Sequence, residues 1–333
     1  MDLRHGGRAQ EVDAELRPSQ GAVPQGLAGT LYRNGAGNHL SDYVIDGDGL
    51  VSAVTFTPGS PVHVRSRYVR TPSYRASLKA PGADAPPVRL AGANAAGGRL
   101  RNLLLHRVPA FQAMRWHGEE ATRILIVPRA DGPFRVVEAD PWFQWHFAGA
   151  YDDGDDIVFD LARFRSWTVM HEAISSMGHL TDPSCFPVGR LWRYRVTASG
   201  KVEDHQLNAL PMEWPTIDPR RSTTAHRNVY GATIGTLASG VAFTAVARYD
   251  TELGEADVHD YGPGHLVSEP LFVPRDRRKL DEQGWLVAYE AQLTAGTTNI
   301  VVFDAQSVAD GPVCTLPVPE SLGFTFHGQW VHA

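Results

Sequence analysis

The feature that most restricts the fold of this chain is the repeated alternation of short apolar runs with tight turns. The runs are rich in Val, Ile, Phe and Tyr, which favour strands. The clearest turn signals between them are Asp46-Gly47-Asp48-Gly49, Pro58-Gly59-Ser60, Asp131-Gly132 and Ser199-Gly200. No regular alternation of strands and helices occurs, so an α/β fold is disfavoured. The pattern predicts an all-β chain, either a β-propeller or a large sandwich, although no exact internal repeat marks separate blades.

The 333 residues are predicted to form one large domain preceded by an extended segment. Residues 1–25 are polar and interrupted by Gly and Pro, which indicates an extended N-terminal segment, whereas residues 26–333 carry the strand pattern. Within that domain, residues from about 77 to 100 are rich in Ala, Gly and Pro and nearly without aromatics. Such a composition cannot build a packed layer, so we expect a linker there.

Charge and composition exclude several classes of function. The net charge of −6 gives no basic surface for nucleic acid, so we expect no nucleic-acid partner. No apolar run has the length of a membrane span, and the N-terminus lacks a hydrophobic segment of the signal-peptide type. We therefore expect a cytoplasmic protein. The two cysteines, Cys185 and Cys314, neither frame a disulfide scaffold nor indicate a thiolate zinc site.

Two histidines at the ends of distant predicted strands are the candidate metal ligands. His146 lies between Trp145 and Phe147, and His327 follows Phe326 near the C-terminus. A lone histidine in an apolar run is more often a core residue with a satisfied hydrogen bond. Two inward histidines on separate strands, however, are what a metal site inside a β fold requires, and neutral imidazoles suit iron, zinc or copper.

A histidine ligand normally has its second ring nitrogen held by a carboxylate or a carbonyl group. Two glutamates lie in apolar strand-end settings that suit this role: Glu213 in PMEWPTID and Glu269 in VSEPLFVPR. The alternative is a partly buried glutamate paired with a nearby arginine such as Arg275. Among the other histidines, His106 and His171 have apolar neighbours and are weaker ligand candidates.

Together these residues resemble the carotenoid oxygenase family, the carotenoid and stilbene cleavage dioxygenases. The motifs that carry the resemblance occur in the family's order and cover most of the chain outside residues 1–25 and 72–110. They are GTLYRNGAGN with IDGDGLV (29–51), RSRYVRT (65–71), RW with TRILIVPR (115–129), WFQWHFAGAYDDGD (142–155), MEWPTID (212–218), SEPLFVPR (268–275), QGWLVAY (283–289), NIVVFDA (299–305) and GFTFHGQWV (323–331).

The resemblance implies a seven-bladed β-propeller with Fe(II) on its axis, held by four histidines, three of which are braced by glutamates. On that pattern His146 is the third ligand, braced by Glu213, and His327 is the fourth, braced by Glu269. Such enzymes use Fe(II) and O2 to cleave an alkene bond of a long polyene or a stilbene to two carbonyl products. The segment that carries the first two ligands in the family is replaced here by a shorter one. We therefore expect an incomplete propeller, with blades missing after the first and two of the four ligands retained.

Several hypotheses follow for the function. The first is an Fe(II)-dependent dioxygenase acting on a carotenoid, an apocarotenoid or a stilbene-like substrate, with an apolar small molecule and O2 as its partners. The second is a non-catalytic remnant or apolar-ligand binder without functional iron. The third is a metal site that a second copy of the chain completes, as a homo-oligomer. A zinc hydrolase ranks below these because the sequence nominates no third ligand. Membrane-surface contact is also left open, although no basic amphipathic helix indicates it.

Overall fold

The computed structural model describes residues 9–37, 48–79, 115–167, 189–234, 243–293 and 295–333. Within them, strands predominate. In chain order the strands are β1 (Asp13–Leu16), β2 (Gln20–Gly21), β3 (Gly29–Ala36), β4 (Gly49–Phe56), β5 (Val62–Tyr68), β6 (Thr122–Ile126), β7 (Arg135–Ala139), β8 (Phe143–Asp153), β9 (Asp156–Phe164) and β10 (Arg190–Val196). They continue with β11 (Val202–Pro211), β12 (Glu213–Thr216), β13 (Asn228–Thr233), β14 (Ala245–Asp250), β15 (Glu255–Asp260), β16 (His265–Val267), β17 (Leu271–Pro274), β18 (Gly284–Gln292), β19 (Thr297–Asp304), β20 (Pro312–Val318) and β21 (Phe324–His332).

The strands form four antiparallel sheets and one separate hairpin. Their orders are β1-β5-β4-β3-β21, β11-β10-β9-β8, β12-β13-β14-β15 and β16-β18-β19-β20-β2, with β17 also paired to β18 and with β6-β7 as the hairpin. The prediction of an all-β chain is confirmed. The described residues form fewer sheets than the seven blades that the resemblance implies, as expected for a shortened propeller.

One short α-helix, α1 (Pro72–Lys79), accompanies the strands in the described residues, together with the single-turn 3-10 helices Pro219–Arg221 and Val308–Asp310. Helix α1 overlaps the first residues of the predicted linker at about 77–100, and the rest of that linker lies outside the described residues. No helix among the described residues is long and apolar enough to cross a membrane.

The two ends of the chain meet in the first sheet. Strand β21 pairs with β3, from Phe324 opposite Ala36 to His332 opposite Gly29. The N-terminal segment adds β1 to the far edge of the same sheet and β2 to the edge of the last sheet. This arrangement joins the first and last sheets through the chain's own ends, which leaves fewer unpaired edges between them.

Neighbouring sheets pack through alternating inward side chains. In β4, for example, Leu50, Ser52, Val54 and Phe56 point inward while their neighbours are more exposed. One apolar cluster joins the first sheet to the last, including Val54 and Ile300, and a second joins the third sheet to the last. The first and the third sheets therefore both pack against the last sheet.

The edge strands β8, β12, β17 and β21 come from four different sheets and approach one another. Strand β12 lies beside β8, and β17 lies beside β21. Register shifts in β8 and β21 turn side chains out of the regular pleat at these edges. This convergence of four edge strands is where the nominated histidines and glutamates lie.

Candidate metal centre

His146 leaves the regular ladder of its strand through a local irregularity. The pairing of β8 with β9 shifts register between Gln144 and Phe147 and again before Gly149. Such bulges turn one side chain away from the pleat and often occur beside functional sites. The preceding Trp145 packs edge-on against Trp167, with ring centroids 5.5 Å apart. This aromatic contact fixes the strand while the imidazole of His146 points the other way.

Glu213 holds His146 from the first residue of β12. Its carboxylate Oε2 accepts a hydrogen bond of 2.5 Å from Nδ1 of His146 and another of 2.5 Å from the backbone N–H of Trp214. Trp214 adopts a φ of 49°, a left-handed backbone that is uncommon for a bulky residue. Strain of this kind is found where the surrounding structure needs a particular orientation. Here it lets one carboxylate oxygen accept both donors.

His327 stands on a second bulge, in β21. The register with β3 shifts between Thr325 and Gly328, and the side-chain Oδ1 of Asn34 accepts a 3.2 Å hydrogen bond from the freed backbone N–H of His327. Glu269, in the break between β16 and β17, accepts from Nδ1 of His327 at 3.1 Å through Oε1 and from the backbone N–H of Gly328 at 2.9 Å through Oε2. Both oxygens of this carboxylate are therefore used.

The structure brings the two imidazoles together. Nε2 of His146 lies 3.2 Å from Nε2 of His327, and the ring planes are inclined at 68°. Because an ionised carboxylate only accepts hydrogen bonds, each Nδ1 carries the proton and each Nε2 presents a lone pair. Two lone pairs at this distance repel each other unless a proton or a cation lies between them.

The donor set fits a borderline divalent cation such as Fe(II). Histidine nitrogens bond such ions at about 2 Å, so two nitrogens 3.2 Å apart can both reach one ion. A carboxylate bonded to Nδ1 of each ring is the usual outer support of a histidine ligand. The hydrogen bond that Nδ1 of His327 donates to Glu269 raises the pKa of His327 above its ordinary value of 6.5, against the effect of burial. A proton and a cation therefore compete for the same nitrogen.

No third ligand joins this pair from the described part of the chain. The single cluster of three or more potential metal-ligating side chains found there is His117, Glu119 and Glu120, all of which are exposed and belong to another site. His63 pairs with Asp13 on the edge strand β1. The weaker candidates His106 and His171 lie outside the described residues.

Arg33, on β3, is a site residue that sequence reasoning missed. Its guanidinium is fully buried, donates from Nη2 to the backbone carbonyl of Glu269, and lies 3.7 Å from the carboxylate Oε2 of that residue. The expected alternative partner, Arg275, pairs with Asp304 instead. The sequence signal that could have identified Arg33 is the alternation of β3, which places Arg33 on the same face as the buried Leu31.

Two further histidines, which lie among polar or turn residues in the sequence, are held by buried carboxylates. His226 bonds Asp160 at 2.9 Å, and Arg193 binds the same carboxylate through two nitrogens. His265 bonds Glu290 at 2.6 Å. Neither histidine has a second imidazole opposite it among the described contacts, so the convergence at His146 and His327 remains distinct.

The sequence matches the family described as Retinal pigment epithelial membrane protein over residues 7–106 and 86–332. Among curated proteins it is similar to the apocarotenoid-15,15'-oxygenase of Synechocystis sp., with 24% identity over 225 residues that cover 66% of this chain and 45% of the relative. It is also similar to lignostilbene-alpha,beta-dioxygenase isozyme III of Sphingomonas paucimobilis, with 26% identity over 232 residues, 62% of this chain and 46% of the relative. The chain spans about half the length of these curated relatives.

Among solved structures, the fold matches the crystal structure of cobalt-substituted Synechocystis ACO with a TM-score of 0.83 at 19% identity. The alignment covers 100% of this chain and 98% of that chain. This likeness confirms the predicted β-propeller fold of the carotenoid oxygenase type. At 19% identity this likeness establishes the fold alone.

Proposed function

The chain belongs to the retinal pigment epithelial membrane protein family, the carotenoid oxygenases, and from that membership we propose that it is an Fe(II)-dependent dioxygenase. Its reaction would cleave an alkene bond of a carotenoid, apocarotenoid or stilbene-like substrate to two carbonyl products. The observation that carries the proposal is the 3.2 Å approach of the Nε2 atoms of His146 and His327, with each Nδ1 bonded to a glutamate.

In this proposal the four residues have separate tasks. His146 and His327 hold the ion through Nε2, while Glu213 and Glu269 keep the proton on Nδ1 and fix the ring orientation. The chemistry that Fe(II) supplies when bound is activation of O2, whose two oxygen atoms end in the two carbonyl groups as both bonds of the alkene break. Because both ligands are neutral, the shell leaves the ion its full charge.

Two of the relatives are named for the substrates on which they act, an apocarotenoid and a lignostilbene, and these are the candidate substrates. Both are apolar molecules with conjugated alkenes. The ring of Phe147, directly after His146, is half exposed and contacts Phe159 at 5.8 Å between ring centroids.

A binder of apolar molecules without functional iron is the second candidate. The observation that favours it is that, in the described part of the chain, two imidazoles and no third ligand meet at the site. Two imidazoles hold Fe(II) more weakly than a larger set because each ligand adds bond energy and preorganisation. The two candidates differ in whether the purified protein retains iron.

The test is iron content after anaerobic reconstitution with Fe(II) and desalting, in the wild-type chain, His146→Ala and His327→Ala. A control variant, His63→Ala, removes a surface imidazole that pairs with Asp13. The dioxygenase predicts near-stoichiometric iron in the wild type and the control, and its loss in both ligand variants. O2 consumption with apocarotenals and stilbenes would then identify the substrate. Absence of iron from the wild type would favour the binder.

A further inference from the structure

Arg33 is the most deeply buried charge beside the site. It stands on β3 at a position whose neighbours on the same face, Leu31 and Gly35, are buried or half-buried, and its side chain has no exposed surface. Arginine is rarely enclosed in this way because taking the guanidinium out of water is unfavourable unless a partner compensates. Its presence at a core position therefore indicates a specific task.

The partner is Glu269. Nη2 of Arg33 donates to the backbone carbonyl of Glu269, and Nη1 lies 3.7 Å from the carboxylate Oε2. The guanidinium also lies over the ring of Tyr289, 5.4 Å from its centroid, which gives a cation–π contact. Arg33 thus contacts both the backbone and the side chain of the residue whose other oxygen accepts from His327.

The neighbouring residues leave room for this contact. Gly328 lies opposite Arg33 in the β3–β21 ladder, and a Cβ on it would lie 3.0 Å from Cγ of Arg33 and 2.7 Å from the carbonyl oxygen of Tyr32. Glycine at this position therefore lets the arginine stem pass beneath the strand that carries His327. The next residue, Asn34, binds the backbone N–H of His327.

His327 needs such support more than His146 does. The side chain of His327 is 53% exposed, against 24% for His146, so less packing restricts rotation of its ring. What fixes the ring is the hydrogen bond to Glu269, and that bond persists only while the carboxylate is held in place.

We propose that Arg33 is a positioning residue for the imidazole of His327 and acts through Glu269. The guanidinium balances the charge of the carboxylate and holds its backbone, so that Nδ1 of His327 keeps its proton and Nε2 stays available to a cation. The inference rests on the proposed function in one respect: it takes a metal cation as the group that binds Nε2.

Two measurements test it, one without metal and one with Co²⁺. Two-bond 1H–15N spectra of the apoprotein in alkaline buffer report which ring nitrogen of His327 carries the proton, with His327→Gln to assign the signals. Wild-type protein should have the proton on Nδ1 alone, and Arg33→Met should give a mixture of tautomers at His327 with His146 unchanged. A wild-type signal in Arg33→Met would overturn the proposal.

Co²⁺ titration, followed by visible absorption, should give an affinity about 10-fold or more weaker for Arg33→Met, the usual range for an outer residue of a metal site. Arg33→Lys should lose less Co²⁺ affinity than Arg33→Met, because lysine keeps the positive charge although it lacks the two terminal nitrogens of the guanidinium. The matched control is Arg227→Met, which removes an arginine from the buried carboxylate of Asp250, away from both histidine–glutamate pairs. It should leave the Co²⁺ affinity unchanged.

A double-mutant cycle separates positioning from a general structural role. If Arg33 acts through Glu269, Arg33→Met combined with Glu269→Gln should bind Co²⁺ no more weakly than Glu269→Gln alone. Additive losses would overturn the proposal. If Arg33→Met does not fold, Arg33→Lys decides, and unchanged affinity in it would contradict the inference. Failure of wild-type protein to bind Co²⁺ would reject the proposed function, while the tautomer signal would still decide the role of Arg33.

Discussion

His146 and His327 present the same nitrogen to the same point, yet the carboxylates behind them lie in different surroundings. Glu269 uses both oxygens and has the guanidinium of Arg33 beside it. Glu213 has no arginine among its described contacts, and its Oε1 is buried without a hydrogen-bond partner there. We therefore distinguish a charge-balanced arm, His327 with Glu269, from an arm held mainly by strand packing, His146 with Glu213.

Exposure and charge compensation go together at this site. The more exposed imidazole, His327, has the carboxylate with the cationic neighbour. The less exposed imidazole, His146, lies between β8 and β12. Its carboxylate is held by the backbone N–H of Trp214, whose φ is strained. A ring that packing restricts needs less electrostatic support, because fewer orientations compete with the one that faces the cation.

The largest expected difference between the arms is in stability. Glu269→Gln leaves the buried guanidinium of Arg33 without its carboxylate, which should lower the free energy of unfolding by about 3 kcal/mol or more. Glu213→Gln removes a buried anion that has no described cationic partner, so we expect a loss below about 1 kcal/mol. Urea unfolding of the apoproteins measures both losses.

A further variant provides the control for that comparison. Arg33→Met combined with Glu269→Gln removes both charges and should recover part of the stability that Glu269→Gln loses. Equal losses in Glu213→Gln and Glu269→Gln would mean that charge compensation does not distinguish the two arms.

Glycines in the two strands that carry the histidines, β8 and β21, give a second, smaller contrast. In Gly328→Ala the new Cβ would lie 2.7 Å from a backbone oxygen, which cannot move without shifting β3, so we expect a loss of about 2 kcal/mol. In Gly149→Ala the new Cβ would lie 2.8 Å from the flexible end of Ile217 and 3.0 Å from the ring of His226. Both are side chains and not backbone, so the loss should be smaller. Thermal unfolding of the two variants measures the difference. A larger effect at Gly149 would show that the sheet of His146 is the more tightly constrained.

The smallest expected effect is a loss of folding stability at acid pH. Burial of Asp160, in the sheet that carries His146, opposes its ionisation, but hydrogen bonds from Arg193 and His226 outweigh burial and hold the pKa of Asp160 below its ordinary value of 3.8. A carboxyl group with a depressed folded pKa stabilises the protein above its unfolded pKa, and this contribution is lost as the pH falls through the folded pKa. Stability should therefore be maintained above pH 3.8 and decline below it.

Urea unfolding between neutral pH and the acid limit checks this prediction. The decline below the ordinary pKa should be shallower in Asp160→Asn than in the wild type, because that residue no longer titrates. Asp155→Asn, at an exposed carboxylate on the neighbouring turn, is the control and should follow the wild type. Parallel curves for Asp160→Asn and the wild type would contradict the assignment.

Much of the fold could be predicted because turn chemistry is local. Gly59, Asp131 and Gly200 all lie between paired strands, where their sequence signals predicted turns. The pairing of β2 with β20 could not be predicted, since two residues carry no periodic signal and their partner is distant in the chain. The predicted turn at 46–49 lies mostly outside the described residues.

The four nominated site residues were found through motif order and apolar context, and the structure brings all four together. Their role as ligands and supports stays a prediction. Arg33 was missed because an arginine in a strand is usually solvated, and the residues it contacts, Glu269 and Tyr289, are distant in the chain. His226 was missed for a related reason, since its polar neighbours in the chain gave no sign that Asp160 would reach it across two sheets.

The central claim is that His146 and His327 hold one cation between their Nε2 atoms. Diffraction from crystals of protein reconstituted anaerobically with Fe(II), recorded on both sides of the iron absorption edge, tests it directly. The account predicts a single anomalous peak at bonding distance, about 2 Å, from both nitrogens. A crystal of the reconstituted protein with no peak there, or with a peak bonded to one imidazole and not the other, would contradict it.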